Sequence, residues 1–153
     1  MTDYEYLDIS GSTKTKRALA DQFASVAKYI LFPRMKGVEL FIELTKHLNR
    51  QLGIMGDVLW EGDREFTVRL DSDLSYEEMG RTICHELVHV RQYCRKELSQ
   101  PSGNIMVWKK TEYSTNEEYM SRPWEIEALK LEEEVYDKCV SIMSQKDFYD
   151  KVT

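Results

Sequence analysis

The stretch SYEEMGRTICHELVHVRQYC, residues 75 to 94, constrains the fold more than any other part of the chain. Ser75 and Glu78 stand at the spacing of a capping box, in which the serine accepts from the third helical amide and the glutamate reaches back. The pattern predicts a long helix from about Tyr76 to Leu98, ended by Ser99-Gln100-Pro101-Ser102-Gly103. Ile83, Leu87, Val90 and Cys94 share one face. Thr82, His85, His89 and Gln92 share the opposite one. A helix with so apolar a back belongs in the middle of a core, and its polar front then needs partners of its own.

Two residues of that front carry chemistry. An α-helix turns about 100° per residue, so His85 and His89 project side by side. Imidazoles at this spacing can fill two corners of a zinc tetrahedron. Glu86, beside His85, can reach a water in the open coordination position and take its proton as general base. The chain has only three histidines, and two of them fall at this spacing with a glutamate between them. The third, His47, sits at the loop end of an early element and is a poor candidate ligand.

A catalytic zinc commonly takes three protein ligands. The best source of the third is the last helix, which Pro123 starts and which runs to about residue 144. Glu125 shares a face with Ala128, Leu129 and Tyr136, whereas Glu127 shares one with Lys130, Glu134 and Lys138. The first face is apolar and turns inward. A carboxylate there is expensive unless it is paired or binds metal. Glu125 is therefore the expected ligand, with Glu127 as the fallback.

The remainder of the chain supplies the scaffold. Residues 1 to 12 read as irregular. Leu19, Phe23, Val26, Ala27 and Ile30 give a helical period from about Thr15 to Phe32, and Pro33 ends it. Val38, Leu40, Ile42 and Leu44 alternate with Glu39, Phe41 and Glu43, which is a strand. DVLWEGDREFTVRLD reads as a hairpin turning at Gly62-Asp63. Residues 105 to 113 suggest a short strand or an ordered loop. The expectation is one α+β domain over residues 1–153: an N-terminal helix, a small sheet of about three strands, mainly antiparallel, the central histidine helix and a C-terminal ligand helix.

Composition narrows the setting. Hydrophobic residues are 42% of the 153, charged residues 31%, and the net charge is −6, without the basic stripe of a duplex binder. Direct nucleic-acid binding is not expected. No apolar run reaches membrane-spanning length, and MTDYEYLDISGS is not a secretory signal. Cys84, Cys94 and Cys139 are odd in number and lie in helical patterns, which suits reduced thiols in the cytoplasm.

His85 to Gln92 and Pro123 to Ala128 together resemble the zincin metallopeptidases of the gluzincin kind, and more narrowly the small SprT-like proteins of bacteriophage genomes, which join HELxHxxQ to a downstream PWExEA. The resemblance covers roughly residues 57 to 140. It implies a zincin-like fold, a Zn2+ cofactor and hydrolysis of a protein or peptide substrate, in the host cytoplasm if the chain is phage-encoded. Leu129 stands where the family has an aspartate, so another group must orient a zinc histidine, and Glu132 is one turn further on. The family pairs substrate with an edge strand above the active-site helix. Residues 64 to 70 are the candidate here, which makes Thr67 and Arg69 substrate-binding candidates. Tyr113, Tyr119 and Arg122 are candidates for the oxyanion donor, Tyr119 being carried forward as a substrate-binding residue. Two other readings stay open: a catalytically weak or inactive binding module with structural zinc, and a protease brought to DNA by a partner.

Overall fold

Leu40, Ile42 and Leu44 alternate along the strand Glu39–Thr45, and all three are buried. That strand lies inside a sheet of the computed structural model, which describes residues 6–145. In chain order the described elements are β1 (Tyr6–Ser10), α1 (Lys14–Leu31), β2 (Glu39–Thr45), α2 (Leu48–Leu52), β3 (Gly56–Gly62), β4 (Glu65–Asp71), α3 (Tyr76–Cys94), β5 (Leu98–Ser102), β6 (Ile105–Trp108), β7 (Thr111–Ser114) and α4 (Pro123–Met143). A short 3₁₀ turn, Tyr119–Ser121, precedes α4. The class is α+β.

The first sheet has four strands in the order β1-β2-β4-β3. Two of its pairings, β1 with β2 and β2 with β4, are parallel, and only β3 with β4 is antiparallel. This corrects the expected three-stranded, mainly antiparallel sheet. The hairpin expected at Gly62-Asp63 is present, with Asp63 at φ 43°. Its second strand inserts beside β2 and so runs parallel to it. The first strand of the hairpin is left at the edge.

In place of the expected irregular segment stands β1, in which only Leu7 and Ile9 alternate inward, too short a run to signal a strand on its own. Register with β2 makes it one, Leu7 opposite Leu40 and Ile9 opposite Ile42. Gly11 then turns the chain into α1 at φ +88°, and an added Cβ there would meet the Leu44 carbonyl oxygen at 2.3 Å. The stretch from β5 to β7 forms a separate three-stranded antiparallel sheet.

The main core lies between the first sheet and helices α1, α3 and α4. Phe66, Val68 and Leu70 of β4 face Met79, Ile83, Leu87 and Val90 of α3 in one cluster, all fully buried. Gly80 lets α1 approach α3: a Cβ there would stand 2.5 Å from the Phe23 ring. A second, smaller cluster joins Leu98, Met106, Trp108 and Trp124, with Tyr93 against it. It also explains why α3 ends four residues earlier than the pattern predicts. Lys96 takes a left-handed φ of 60°, and Leu98 turns away into the second cluster. No described helix is long and apolar enough to cross a membrane.

Candidate metal centre

The start of α3 is fixed by its capping box. Ser75 Oγ accepts from the Glu78 amide at 3.2 Å, and the Ser75 amide donates to the Glu78 carboxylate at 2.9 Å. Packed against the sheet and α1 on its back, the helix presents His85, His89 and Gln92 to α4 and Glu86 to the cleft. All four are buried.

Glu125 reaches them from the first turn of α4. Its Oε1 lies 3.0 Å from His85 Nε2 and 3.0 Å from His89 Nε2. The two rings meet edge to face, with centroids 5.0 Å apart. One ligand atom from each of these three residues falls within 4.8 Å of the others, so the group could hold a metal ion. A tetrahedral ion with bonds of about 2.1 Å sets its ligand atoms about 3.4 Å apart. The donor set is two imidazole nitrogens and one carboxylate oxygen, and it fits such an ion.

Burial and these contacts also set the charges of the cluster. Burial disfavours a charge on His85, but hydrogen bonds to Glu125 and Glu132 outweigh it and push the imidazole up to about 10. His89 is raised in the same way, burial being overcome by Glu125 and then Glu86. Burial alone would raise Glu125, yet its bonds with the two histidines hold it well below the usual carboxylate range. A carboxylate so placed demands positive charge opposite it, from ring protons or from a cation. Glu86 is different. Burial raises it, and it has no hydrogen-bond partner among the described residues.

A second layer orients the rings. Glu132 Oε1 lies 3.0 Å from His85 Nδ1, filling the role that Leu129 cannot. Gln92 Oε1 lies 2.8 Å from His89 Nδ1. The Gln92 amide nitrogen donates to the Trp124 carbonyl and to Glu127 Oε1, each at 3.1 Å. Glu127 is thus a partner of Gln92 rather than a member of the cluster. Tyr119 Oη stands 3.3 Å from His85 Nε2, its phenol raised by burial and then by the charge of Glu125.

His85, Glu86, His89, Tyr119, Glu125 and Glu132 form part of the lining of a cleft of about 790 Å³. Gly53 to Val58 form one wall, and Tyr119, Arg122, Trp124 and Leu129 form part of the other. Thr67 and Arg69 do not reach it. Both lie on β4, which β2 and β3 flank on its two sides, so its backbone is committed to the sheet. The Arg69 guanidinium is held by Asp57, directly across the hairpin. Expecting residues 64 to 70 at the edge was therefore wrong. The edge belongs to β3, and the strand order that puts it there is not written in either strand's own pattern.

Of the other candidates, Tyr113 packs edge-on against Trp124 at 5.6 Å. The Arg122 guanidinium donates to the Thr115 and Glu117 carbonyls. His47 lies 3.6 Å from Asp73, outside the cluster. Cys84 packs inward, its Sγ 4.0 Å from Cys139 Sγ. The double partnership of Gln92 had one signal in the sequence, its place on the polar front of α3. Compared with protein-family models, curated proteins and solved structures, the chain matches none.

Proposed function

We propose that the cleft is the active site of a zinc-dependent metallopeptidase of the gluzincin kind, with His85, His89 and Glu125 as ligands and Glu86 as general base. The observation that carries this reading is Glu86: a buried residue whose carboxyl has no hydrogen-bond partner among the described residues, set beside two imidazoles that share one carboxylate oxygen. A purely structural site would close its fourth position and has no use for such a group.

Bound there, zinc supplies Lewis-acid polarisation of a water and of the scissile carbonyl. Glu86, raised by burial, accepts the proton of that water and passes it to the leaving amine. The Tyr119 phenol, kept protonated by its surroundings, is placed to donate to the oxygen that gains charge. β3 is the last strand of its sheet, and its residues Gly56, Asp57 and Val58 line the cleft. An extended peptide can add to that edge as a further strand. The substrate is therefore read as a peptide segment in extended form.

Metal content and peptide hydrolysis, measured for the wild type and Glu86→Gln, test the reading. The expected outcome is equal zinc in both proteins, with cleavage lost by a factor of about 10² to 10⁴ in the variant. A wild type without zinc, or a variant that cleaves as fast as the wild type, defeats it.

A further inference from the structure

Gln92 belongs to the polar front of α3, yet neither binding of the ion nor proton transfer uses it. It is fully buried and makes three polar contacts. A primary amide offers two N–H donors and one carbonyl acceptor. Its nitrogen faces two acceptors, the Trp124 carbonyl and Glu127 Oε1, and donates to both. Its oxygen must then accept, so His89 Nδ1 carries the hydrogen of that bond. His89 Nε2 is thereby turned toward Glu125. The Trp124 carbonyl carbon is bonded to the Glu125 amide nitrogen, so the second anchor of Gln92 lies one peptide bond from the third ligand.

We propose that Gln92 is a positioning residue that sets two of the three ligands at once, His89 directly and Glu125 through the first turn of α4. The proposal rests on the metal-centre reading above. It gives a physical reason why HELVHVRQ and PWEIEA occur together in one chain: the last residue of the first segment is hydrogen-bonded to two residues of the second. His85 is served differently. Its partner Glu132 comes from α4 two turns beyond Glu125 and has no other hydrogen bond among the described residues. The pair of helices is therefore clasped by a neutral side chain at the His89 end and by a carboxylate at the His85 end.

Three variants of the full chain test this: Gln92→Leu, Gln92→Glu, and Gln92→Glu combined with Glu127→Gln. The readouts are zinc affinity by competition with a chromophoric chelator and the visible spectrum of the cobalt(II)-loaded protein, with folding followed by circular dichroism. Gln92→Leu is expected to weaken zinc by about 10- to 100-fold and to shift the cobalt bands. Gln92→Glu keeps an acceptor for His89 but sets a carboxylate against Glu127, so it too loses affinity. The double variant puts a donor back opposite an acceptor at position 127 but leaves the Trp124 carbonyl facing a carboxylate, so it is expected to recover part of the affinity and not the wild-type cobalt spectrum. The last comparison also decides the matter if Gln92→Leu does not fold.

Zinc binding by Gln92→Leu within about twofold of wild type, with an unchanged cobalt spectrum, overturns the proposal and leaves the metal centre standing. A double variant with wild-type affinity and cobalt spectrum does the same, because it lacks the donor to the Trp124 carbonyl. A wild type that takes up neither ion overturns the metal centre first, and the clasp with it.

Discussion

The floor of the cleft and its rim are built on opposite terms. On the floor, His85, His89 and Glu125 are buried, and each is hydrogen-bonded to another residue of α3 or α4. On the rim, Met55, Tyr119 and Leu129 leave much of their apolar surface in solvent. The floor trades accessibility for fixed geometry, as the proposed catalysis would require. The rim keeps accessible apolar area, as recognition of another chain requires. Glu86 is the exception that links them, a buried floor residue without a hydrogen-bond partner among the described residues.

The largest expected effect lies on the floor. Glu125→Ala removes the oxygen shared by both histidines and should lower zinc affinity by more than about 100-fold, beyond the usual effect of losing an orienting neighbour. Glu127→Ala, two residues away, removes only an acceptor of Gln92 and should cost far less. Measuring zinc affinity of the two variants side by side checks the assignment. A larger loss in Glu127→Ala would move the ligand and dissolve the distinction between floor and support.

Gly56→Ala tests the joint between the two regions. Gly56 opens the edge strand, and an added Cβ would meet the Arg69 carbonyl oxygen at 2.7 Å and the Thr82 methyl at 2.8 Å. Backbone and helix must part slightly, at a cost of about 1–3 kcal/mol in a denaturant titration. The strand then stands further from α3, so peptide cleavage should fall while zinc affinity holds. Equal loss of both would mean that the floor is not independent of the wall.

The same contrast governs what could be read from the amino-acid order. Ser75, Glu78, His85, His89 and Glu125 are legible because helical periodicity is local: a step of three or four residues fixes which side chains share a face. The choice of Glu125 over Glu127 came from apolar neighbours on the same helix. Strand order has no such local signal. β2 and β4 are parallel neighbours because a hairpin folds back beside an earlier strand, and nothing in Glu39–Thr45 or Glu65–Asp71 states which will be inside. β1, with only Leu7 and Ile9 turned inward, becomes a strand through its partner. Gln92 stood on the correct face of its own helix, but its role depends on residues 32 and 35 positions later. The local code therefore gave the floor and left the rim to tertiary pairing.

A smaller effect concerns the support of the floor in acid. The Ser75 backbone amide and then its hydroxyl hold the Glu78 carboxyl below its ordinary value, so its cap contributes above the unfolded-state value of about 4.3 and is lost as the pH falls through the lower folded value. Thermal melts of wild type and Glu78→Gln should therefore differ by a constant amount near neutrality and converge as the pH drops below about 4. Convergence on raising the pH instead would reverse the sign and remove the carboxylate from the cap.

The smallest expected change in stability is on the rim, where it is also the most informative about recognition. The Met55 side chain lines the cleft at 45% exposure. Its backbone carbonyl accepts from the Asp71 amide at 2.9 Å, a bond that Met55→Ser keeps. Stability should move by no more than about 0.5 kcal/mol. Zinc affinity should not move, because Met55 is neither a candidate ligand nor, among the described residues, a hydrogen-bond partner of one. For a peptide whose side chain packs on Met55, lost apolar contact of about 1 kcal/mol raises KM roughly fivefold with kcat unchanged, the mark of an interaction equal in ground and transition states. A fall in kcat with KM constant would place Met55 in the chemistry and erase the line between rim and floor.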